Sequence, residues 1–103
     1  MIYPTTALEA HKALANETRL RVLEWLKEPA ASFPQGGSEA AELGVCVGLI
    51  QQKAGVSAST MSVHLAILQR AGFVLATRRG QWTYYRRDED RIRAFCQRLH
   101  DDL

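Results

Sequence analysis

The chain has 103 residues, which is enough for one folded domain and too few for two. Its 47% hydrophobic and 23% charged residues are typical of a soluble globular protein. No apolar run approaches the roughly 18 residues that cross a bilayer, and no basic segment precedes an apolar one at the start, so neither a membrane partner nor secretion is expected. Two cysteines are too few for a disulfide scaffold and fit a reducing cytoplasm.

The net charge of +2 conceals an uneven distribution of charge along the chain. No acidic residue occurs between Glu42 and Asp88. A folded segment of one sign is typical of a surface that binds a polyanion such as nucleic acid, and an ordinary solvated surface is the alternative. The segment contains six cations: Lys53, Arg70, Arg78, Arg79, Arg86 and Arg87.

Two helices are predicted near the N-terminus. The first spans about residues 6–14, and the second follows Asn16, which can cap it. In the second helix Leu20, Leu23 and Leu26 recur at near-helical spacing. Residues 29–44 contain two prolines and three glycines, so we predict a long loop there.

Residues 47–71 have the pattern of a helix-turn-helix. A helix over about 47–54 is stopped by Gly55, and Ser57 can cap a second helix that runs from Ser59 to Ala71 and ends at Gly72. Two helices joined by a short turn that contains glycine form this motif. The pattern therefore predicts a helix-turn-helix in the middle of the chain.

The second helix of this motif has two contrasting sides on a helical wheel. Met61, Leu65 and Leu68 share the side predicted to face the core. The opposite side has short side chains that permit close approach to a major groove, hydroxyls that can bind phosphates or base edges, and apolar groups that can meet a thymine methyl. An ordinary solvent-facing helix is the alternative, although such helices favour Glu and Lys, which are absent here. The residues of this side are Ser59, Ser62, Val63, Ala66 and Arg70.

A β-hairpin is predicted from residues 73–79 and 81–87, with its turn at Gly80. Arg78, Arg79 and Gln81 surround this turn, where they can reach along the phosphates or into a minor groove. The aromatic residues of the second strand are expected to pack against helices rather than to stack on single-stranded bases. They are Trp82, Tyr84 and Tyr85.

A last helix, over about residues 88–102, begins at Asp88, which can cap it. Its apolar stripe cannot be buried by so small a protomer alone, so a second copy is expected to cover it. The stripe contains Ile92, Phe95, Cys96 and Leu99. We therefore expect a homodimer.

Three blocks of the chain, His11–Leu23, Gly55–Val74 and Arg79–Tyr85, follow one another in an order and spacing that resemble the ArsR/SmtB family of bacterial transcriptional regulators. The resemblance implies a mainly α fold with a small β-hairpin: a winged helix-turn-helix that dimerises through its terminal helices. Residues 47–71 would be the helix-turn-helix, 73–87 the wing, and 6–14 and 88–102 the dimerisation helices. It also implies a repressor that leaves double-stranded operator DNA when a small inducer binds.

The resemblance further implies which residues contact DNA. In the recognition helix these are Ser57, Ser59, Thr60, Ser62 and His64, and in the wing they are residues 78–81. The wheel places His64 at the border of the core, so a half-buried histidine with a satisfied hydrogen bond is the alternative to a DNA contact.

The sequence is compatible with several classes of inducer. Relatives in the family hold soft metals with two cysteines one residue apart, but Gly48 replaces the second of them after Cys46, and Arg91 stands where other members have a zinc-binding histidine. No complete known metal site is present, so no cofactor is expected.

Cys46 and Cys96 are the candidate sensor thiols, through oxidation or reactive sulfur, because Cys46 is expected near a helix N-terminus, which favours a thiolate. A soft-metal site shared by both cysteines and an organic ligand in an interhelical pocket are alternatives, as is burial of both thiols as small apolar groups. No catalytic motif is present, so an enzyme is not expected, and a winged helix that binds only protein is the competing class.

Overall fold

The computed structural model describes residues 5–35 and 42–103. Within these ranges the chain is mainly helical, and a small antiparallel sheet has the strand order β1-β3-β2. The elements in chain order are α1 (Thr5–Leu14), α2 (Glu17–Lys27), α3 (Pro29–Ser32), β1 (Val45–Cys46), α4 (Val47–Ala54), α5 (Ala58–Ala71), β2 (Val74–Arg79), β3 (Trp82–Arg87) and α6 (Glu89–Asp102).

The helix boundaries are set by local capping, as predicted. The side chains of Asn16, Ser57 and Asp88 each accept a hydrogen bond from the backbone N–H three residues later, at 3.0, 3.1 and 3.2 Å. Gly55 and Gly72 end α4 and α5 with φ angles of 69° and 89°, in the left-handed region that favours glycine. Helix α5 begins at Ala58, one residue earlier than predicted.

The prediction of a loop over residues 29–44 is wrong at its beginning. Pro29 occupies the first turn of the short helix α3, a position that its fixed φ favours, and Phe33 follows as a buried residue of the core. The Phe33 ring lies edge-on to Trp25, with centroids 6.3 Å apart, and the Lys53 ammonium lies 5.6 Å from the Phe33 centroid. The loop was predicted from the number of prolines and glycines, which gave no weight to Phe33, the apolar side chain that anchors this segment in the core. Residues 36–41 of the predicted loop lie outside the described residues.

The hairpin of β2 and β3 forms as predicted, one residue shorter at the start of each strand. Arg79 pairs with Trp82 across the turn at Gly80, which has a φ of 60°. The two-residue strand β1 adds to the other edge of β3 and pairs Cys46 with Tyr84. Gly44 precedes β1 with a φ of 102°, and a Cβ there would collide with the carbonyl oxygen of Tyr85. A glycine is therefore needed where the chain enters the sheet.

The core lies between α2, α4, α5 and the sheet. Met61, Leu65 and Leu68 are fully buried, which confirms the predicted inner side of α5. The leucine spacing correctly predicted the helix α2, in which Leu23 and Leu26 are buried and Leu20 is 49% exposed. Val22 is fully buried instead of Leu20, because the side of α2 that faces the core is rotated by part of a turn from the side on which the leucines recur.

Helix α6 contains no buried residue. Ile92 and Phe95 pack partly against the core, and the Phe95 ring lies 5.2 Å from that of Phe73. Cys96 is exposed, so burial of this thiol as a small apolar group is not what the protomer shows. Leu8 of α1 is also 44% exposed. In the described part of the chain, no helix has both the length and the apolar character needed to span a membrane.

Candidate nucleic-acid interface

The outer side of α5 is exposed, small and polar, as predicted. Ser59, Ser62, Val63, Ala66 and Arg70 are all exposed, and Val63 is exposed to 59%. None of these side chains is acidic, and Arg70 lies in the last turn. This surface can approach a DNA groove closely, because only Arg70 extends far from the helix.

Three hydroxyl groups cluster at the start of α5. The Ser57 hydroxyl donates to Thr60 Oγ1 at 2.9 Å and lies 3.2 Å from Ser59 Oγ, while it also caps the helix. Because the Ser57 hydroxyl is occupied by these bonds, Ser59 and Thr60 hold the remaining hydrogen-bonding capacity of the cluster. Hydroxyls beside the backbone N–H groups of a helix N-terminus are suited to phosphate oxygens.

His64 lies half-buried on α5 and has a hydrogen-bond partner. Its Nδ1 is 3.0 Å from Nη1 of Arg19, a residue in the first turn of α2. Burial, and then the positive charge of Arg19, lower the pKa of His64 below its usual value. His64 is therefore a half-buried histidine with a hydrogen-bond partner, which was one of the two alternatives. The contact with Arg19 uses Nδ1 and leaves the second ring nitrogen, Nε2, for another partner.

The tip of the wing carries arginines, as predicted, and also an exposed indole. Arg78 Nε donates to the Gly80 carbonyl at 3.1 Å, which turns this side chain back over the turn. Arg79 and Trp82 are cross-strand partners and share one face of the hairpin. The expectation that Trp82 packs against helices is wrong, since it is 53% exposed at the tip of the hairpin.

Tyr84 and Tyr85 are half-buried, and Tyr85 packs against the core, as expected. Burial raises the pKa of Tyr85.

Not every cation of the acid-free segment is available to a partner. Arg87 forms an ion pair with Glu89 at 2.9 Å and donates to the Leu23 carbonyl at 3.1 Å. The Lys53 ammonium lies 5.3 Å from the ring centroid of Trp25. Four exposed cations lie on α5 and the wing, and the exposed Lys53 lies on α4 beside Trp25. The four are Arg70, Arg78, Arg79 and Arg86.

The two thiols lie in different elements. Cys46 is half-buried, ends β1 and precedes α4, and Cys96 is exposed on α6; neither forms a disulfide. Within residues 5–35 and 42–103, no three His, Cys, Asp or Glu side chains are grouped so that they could hold a metal ion. Arg91 packs its guanidinium against Gly72, at the end of α5.

Sequence reasoning missed two residues of this region. Arg19 contacts a partner 45 positions away, and no local pattern indicates such a contact. The exposure of Trp82 could have been predicted from the sequence. A residue directly beside a two-residue turn lies beyond the helices that cover the rest of the sheet.

Comparisons with known proteins agree with this fold. No family model matches the chain. The chain is 49% identical over 97 residues to the HTH-type transcriptional regulator YbzH of Bacillus subtilis (strain 168). The match spans 93% of this chain and 97% of that relative. An HTH-type transcriptional regulator of Methanocaldococcus jannaschii is 34% identical over 97 residues, which span 94% of this chain and 93% of the relative.

Among solved structures, the chain is similar to a homodimeric winged helix-turn-helix DNA-binding domain from Mycobacterium bovis, a possible ArsR-family regulator. The identity is 32%, the match spans 94% of this chain and 80% of that chain, and the TM-score is 0.63. These similarities confirm the predicted winged helix-turn-helix fold and the prediction of a regulator rather than an enzyme. The chain belongs to the ArsR/SmtB family of winged helix-turn-helix transcriptional regulators.

Proposed function

We propose that the protein is a homodimeric repressor that binds a pseudo-palindromic operator in double-stranded DNA. Helix α5 enters the major groove, and the wing follows the adjacent sugar-phosphate backbone. The observation that carries this proposal is the joint exposure of a small polar face on α5 and of two arginines at the wing tip, in a segment without acids. A similar chain from Mycobacterium bovis is a homodimeric DNA-binding domain, which supports the same reading.

The proposal divides the contacts into two classes. Ser59, Thr60, Ser62, Val63 and Arg70 on α5, with Ser57 and His64 beside them, contribute base-edge and nearby phosphate contacts. Arg78, Arg79 and Gln81 on the wing contribute mainly phosphate or minor-groove contacts. Only the first class selects an operator sequence, because phosphates are the same at every site.

Two protomers pair through α1 and α6 in this proposal. Helix α6 contains no buried residue in the protomer, its Phe95 ring lies 5.2 Å from the His11 ring of α1, and Leu8 of α1 is exposed. Covering this surface in a two-fold dimer places two recognition helices on one side of the assembly. A two-fold operator follows from that symmetry.

Release by an inducer is proposed to act through the thiol of Cys46. This half-buried side chain lies where β1 ends and α4 begins, and β1 is bonded to the second wing strand. Adding polar atoms to the thiol would disturb the joint between the helix-turn-helix and the wing. Cys96 is a second candidate on the dimer surface, and a soft metal shared by both cysteines or an organic ligand between helices is the alternative.

The DNA-binding test titrates the protein into DNA from upstream of its own gene, over a series of salt concentrations. Arg79→Ala should weaken binding to all sequences and reduce the slope of log affinity against log salt by about 0.9, the value for one phosphate contact. Ser62→Ala should mainly change sequence preference. Arg21→Ala is the matched control, since Arg21 is paired with Glu17 at 2.6 Å on α2, and it should leave the slope unchanged.

The proposal fails if the wild type shows no shift of this DNA at low salt. The wing assignment alone fails if Arg79→Ala and the wild type have equal affinity and equal slope.

For the inducer, the same shift is repeated with reductant, peroxide, polysulfide, arsenite and zinc, on the wild type, Cys46→Ser and Cys96→Ser. Loss of the response in Cys46→Ser alone is the expected result. An unchanged response in both variants would exclude thiol chemistry.

A further inference from the structure

We propose that Arg19 is a positioning residue that holds His64 of the recognition helix in one neutral tautomer, so that only its Nε2–H is offered to the operator. The proposal rests on the DNA-binding function proposed above and adds to it the state and orientation of one contact. It also assigns a part in operator binding to a residue of α2, outside the helix-turn-helix and the wing.

The Arg19 side chain is fixed from the α1 side. Its Nε donates to the Ala13 carbonyl at 2.7 Å, and its Nη2 donates to the Lys12 carbonyl at 3.3 Å. Both carbonyls lie in the last turn of α1, where a cation is favourable, and the Lys12 carbonyl also accepts from the Ala15 N–H at 3.1 Å. One edge of the planar guanidinium is therefore occupied, which leaves Nη1 directed at His64.

This contact determines where the imidazole carries its proton. A guanidinium only donates hydrogen bonds and stays protonated, so His64 Nδ1, at 3.0 Å from Arg19 Nη1, has to be the acceptor. The single proton of the neutral ring is then on Nε2. A protonated ring would lose this hydrogen bond and set two cations against each other, which agrees with the lowered pKa of His64.

The charged groups around this contact do not offset the effect of Arg19. The groove between α1 and α5 beside Arg19 is lined by one acid, Glu9, and by two further cations, Lys12 and Arg70. Lys53 of α4 lies over Trp25, and the arginines of β2 lie at the wing tip. The surroundings therefore favour the neutral imidazole.

The position of His64 on α5 fits a contact with DNA. It follows Thr60 by four residues, so the two lie on the same side of the helix, next to the hydroxyl cluster. Because Nδ1 faces Arg19, the Nε2 edge of the ring is directed away from the corner of α1 and α2. A neutral donor at this place matches an acceptor of the DNA, either a purine N7 in the major groove or a phosphate oxygen.

The first test observes the tautomer without DNA. Nitrogen-15 NMR of the histidine rings in the full chain, assigned with His64→Asn, should show His64 at neutral pH with a bare Nδ1 and a protonated Nε2. A proton on Nδ1, or an imidazolium at neutral pH, would overturn the inference whatever the protein binds.

The second test is a double-mutant cycle on operator affinity. Arg19→Lys keeps the positive charge at the end of α1 but loses the planar fork, and His64→Asn keeps an acceptor near the Nδ1 position but loses the distal donor. Each change should weaken binding about three- to tenfold, the worth of one hydrogen bond. Arg19→Lys should have no further effect in the His64→Asn background, since it acts through His64.

Additive losses in this cycle would show that Arg19 and His64 act independently and would overturn the positioning role. A variant that binds the wild-type operator as tightly as the wild type would do the same. Thermal unfolding of both variants and of Arg21→Lys, the matched control, identifies any loss that comes from folding. If the wild type itself binds no operator, the proposed function fails, and the NMR result still decides the tautomer.

Modified operators identify the acceptor. Replacement of single purines by 7-deazapurines removes N7 acceptors, and methylphosphonate linkages remove charged phosphate oxygens. The wild type should lose affinity at one such position where His64→Asn loses none. Equal losses for both proteins at every position would overturn the donor role of His64.

Discussion

Three glycines differ from one another in backbone φ and in the space around a Cβ. Comparing them separates the effects of these two variables on the free energy of unfolding when a side chain is added. Gly48 lies in α4, and a Cβ there would have nothing within 4 Å. Gly55 also faces open space but has a φ of 69°. Gly72 has a φ of 89°, and its Cβ would lie 2.5–2.7 Å from the guanidinium of Arg91. The three alanine variants therefore test helix propensity, backbone strain, and strain with a steric clash.

The expected changes in the free energy of unfolding follow from these environments. Gly48→Ala should stabilise the fold by about 0.5 kcal/mol, because alanine favours a helix. Gly55→Ala should destabilise it by about 1 kcal/mol, from the strain of the left-handed region less the gain from a stiffer unfolded chain. Gly72→Ala should cost about 0.3–1 kcal/mol more than Gly55→Ala, because it also displaces the Arg91 cation from the end of α5.

Urea and thermal unfolding at one fixed protomer concentration measure these values, since the proposed dimer would make stability depend on concentration. For a domain of this size, 1 kcal/mol corresponds to a shift in Tm of roughly 4–8 °C. In an Arg91→Ala background the cost of Gly72→Ala should fall to that of Gly55→Ala. An unchanged cost in that background would refute the placement of Arg91, and a neutral Gly55→Ala would refute the backbone argument.

Three further predictions concern single side chains. Trp82 should change its fluorescence when operator DNA is added, whereas a Trp82→Phe variant, which retains only the half-buried Trp25, should show no change. Phe33→Ala should destabilise the fold by about 3–5 kcal/mol in urea unfolding, and a small loss would contradict its burial. Because folding lowers the pKa of His64, the unfolded chain takes up the proton first as pH falls; the stability difference between the wild type and His64→Asn should therefore be present above about pH 6.5 and decline below it. A stability difference that grows as the pH falls would show that folding raises the pKa of His64 instead of lowering it.

Features that depend on neighbouring residues were predictable from the sequence. The caps at Asn16, Ser57 and Asp88 and the glycines at the ends of α4 and α5 act over three or four positions, so their patterns are complete in a short segment. The inner side of α5 was predictable for the same reason, because a 14-residue helix shows its periodicity fully.

Features that depend on the fold as a whole were not predictable. Phe33 looked like part of a loop, since proline and glycine are counted locally whereas its burial comes from packing against α2 and α4. The contact of Arg19 with His64 joins residues 45 positions apart. Strand β1 has two residues, too few for an alternating pattern, and exists because β3 offers a free edge.

One guanidinium closes the last turn of α1 and also holds the imidazole of the recognition helix. Fraying of that turn and release of His64 therefore belong to one cooperative opening rather than to two independent local motions. Backbone amides near the end of α1 and at the start of α2 should then exchange their hydrogens at a common rate. A ligand that slows this exchange would couple the proposed dimer surface to the proposed DNA-binding surface.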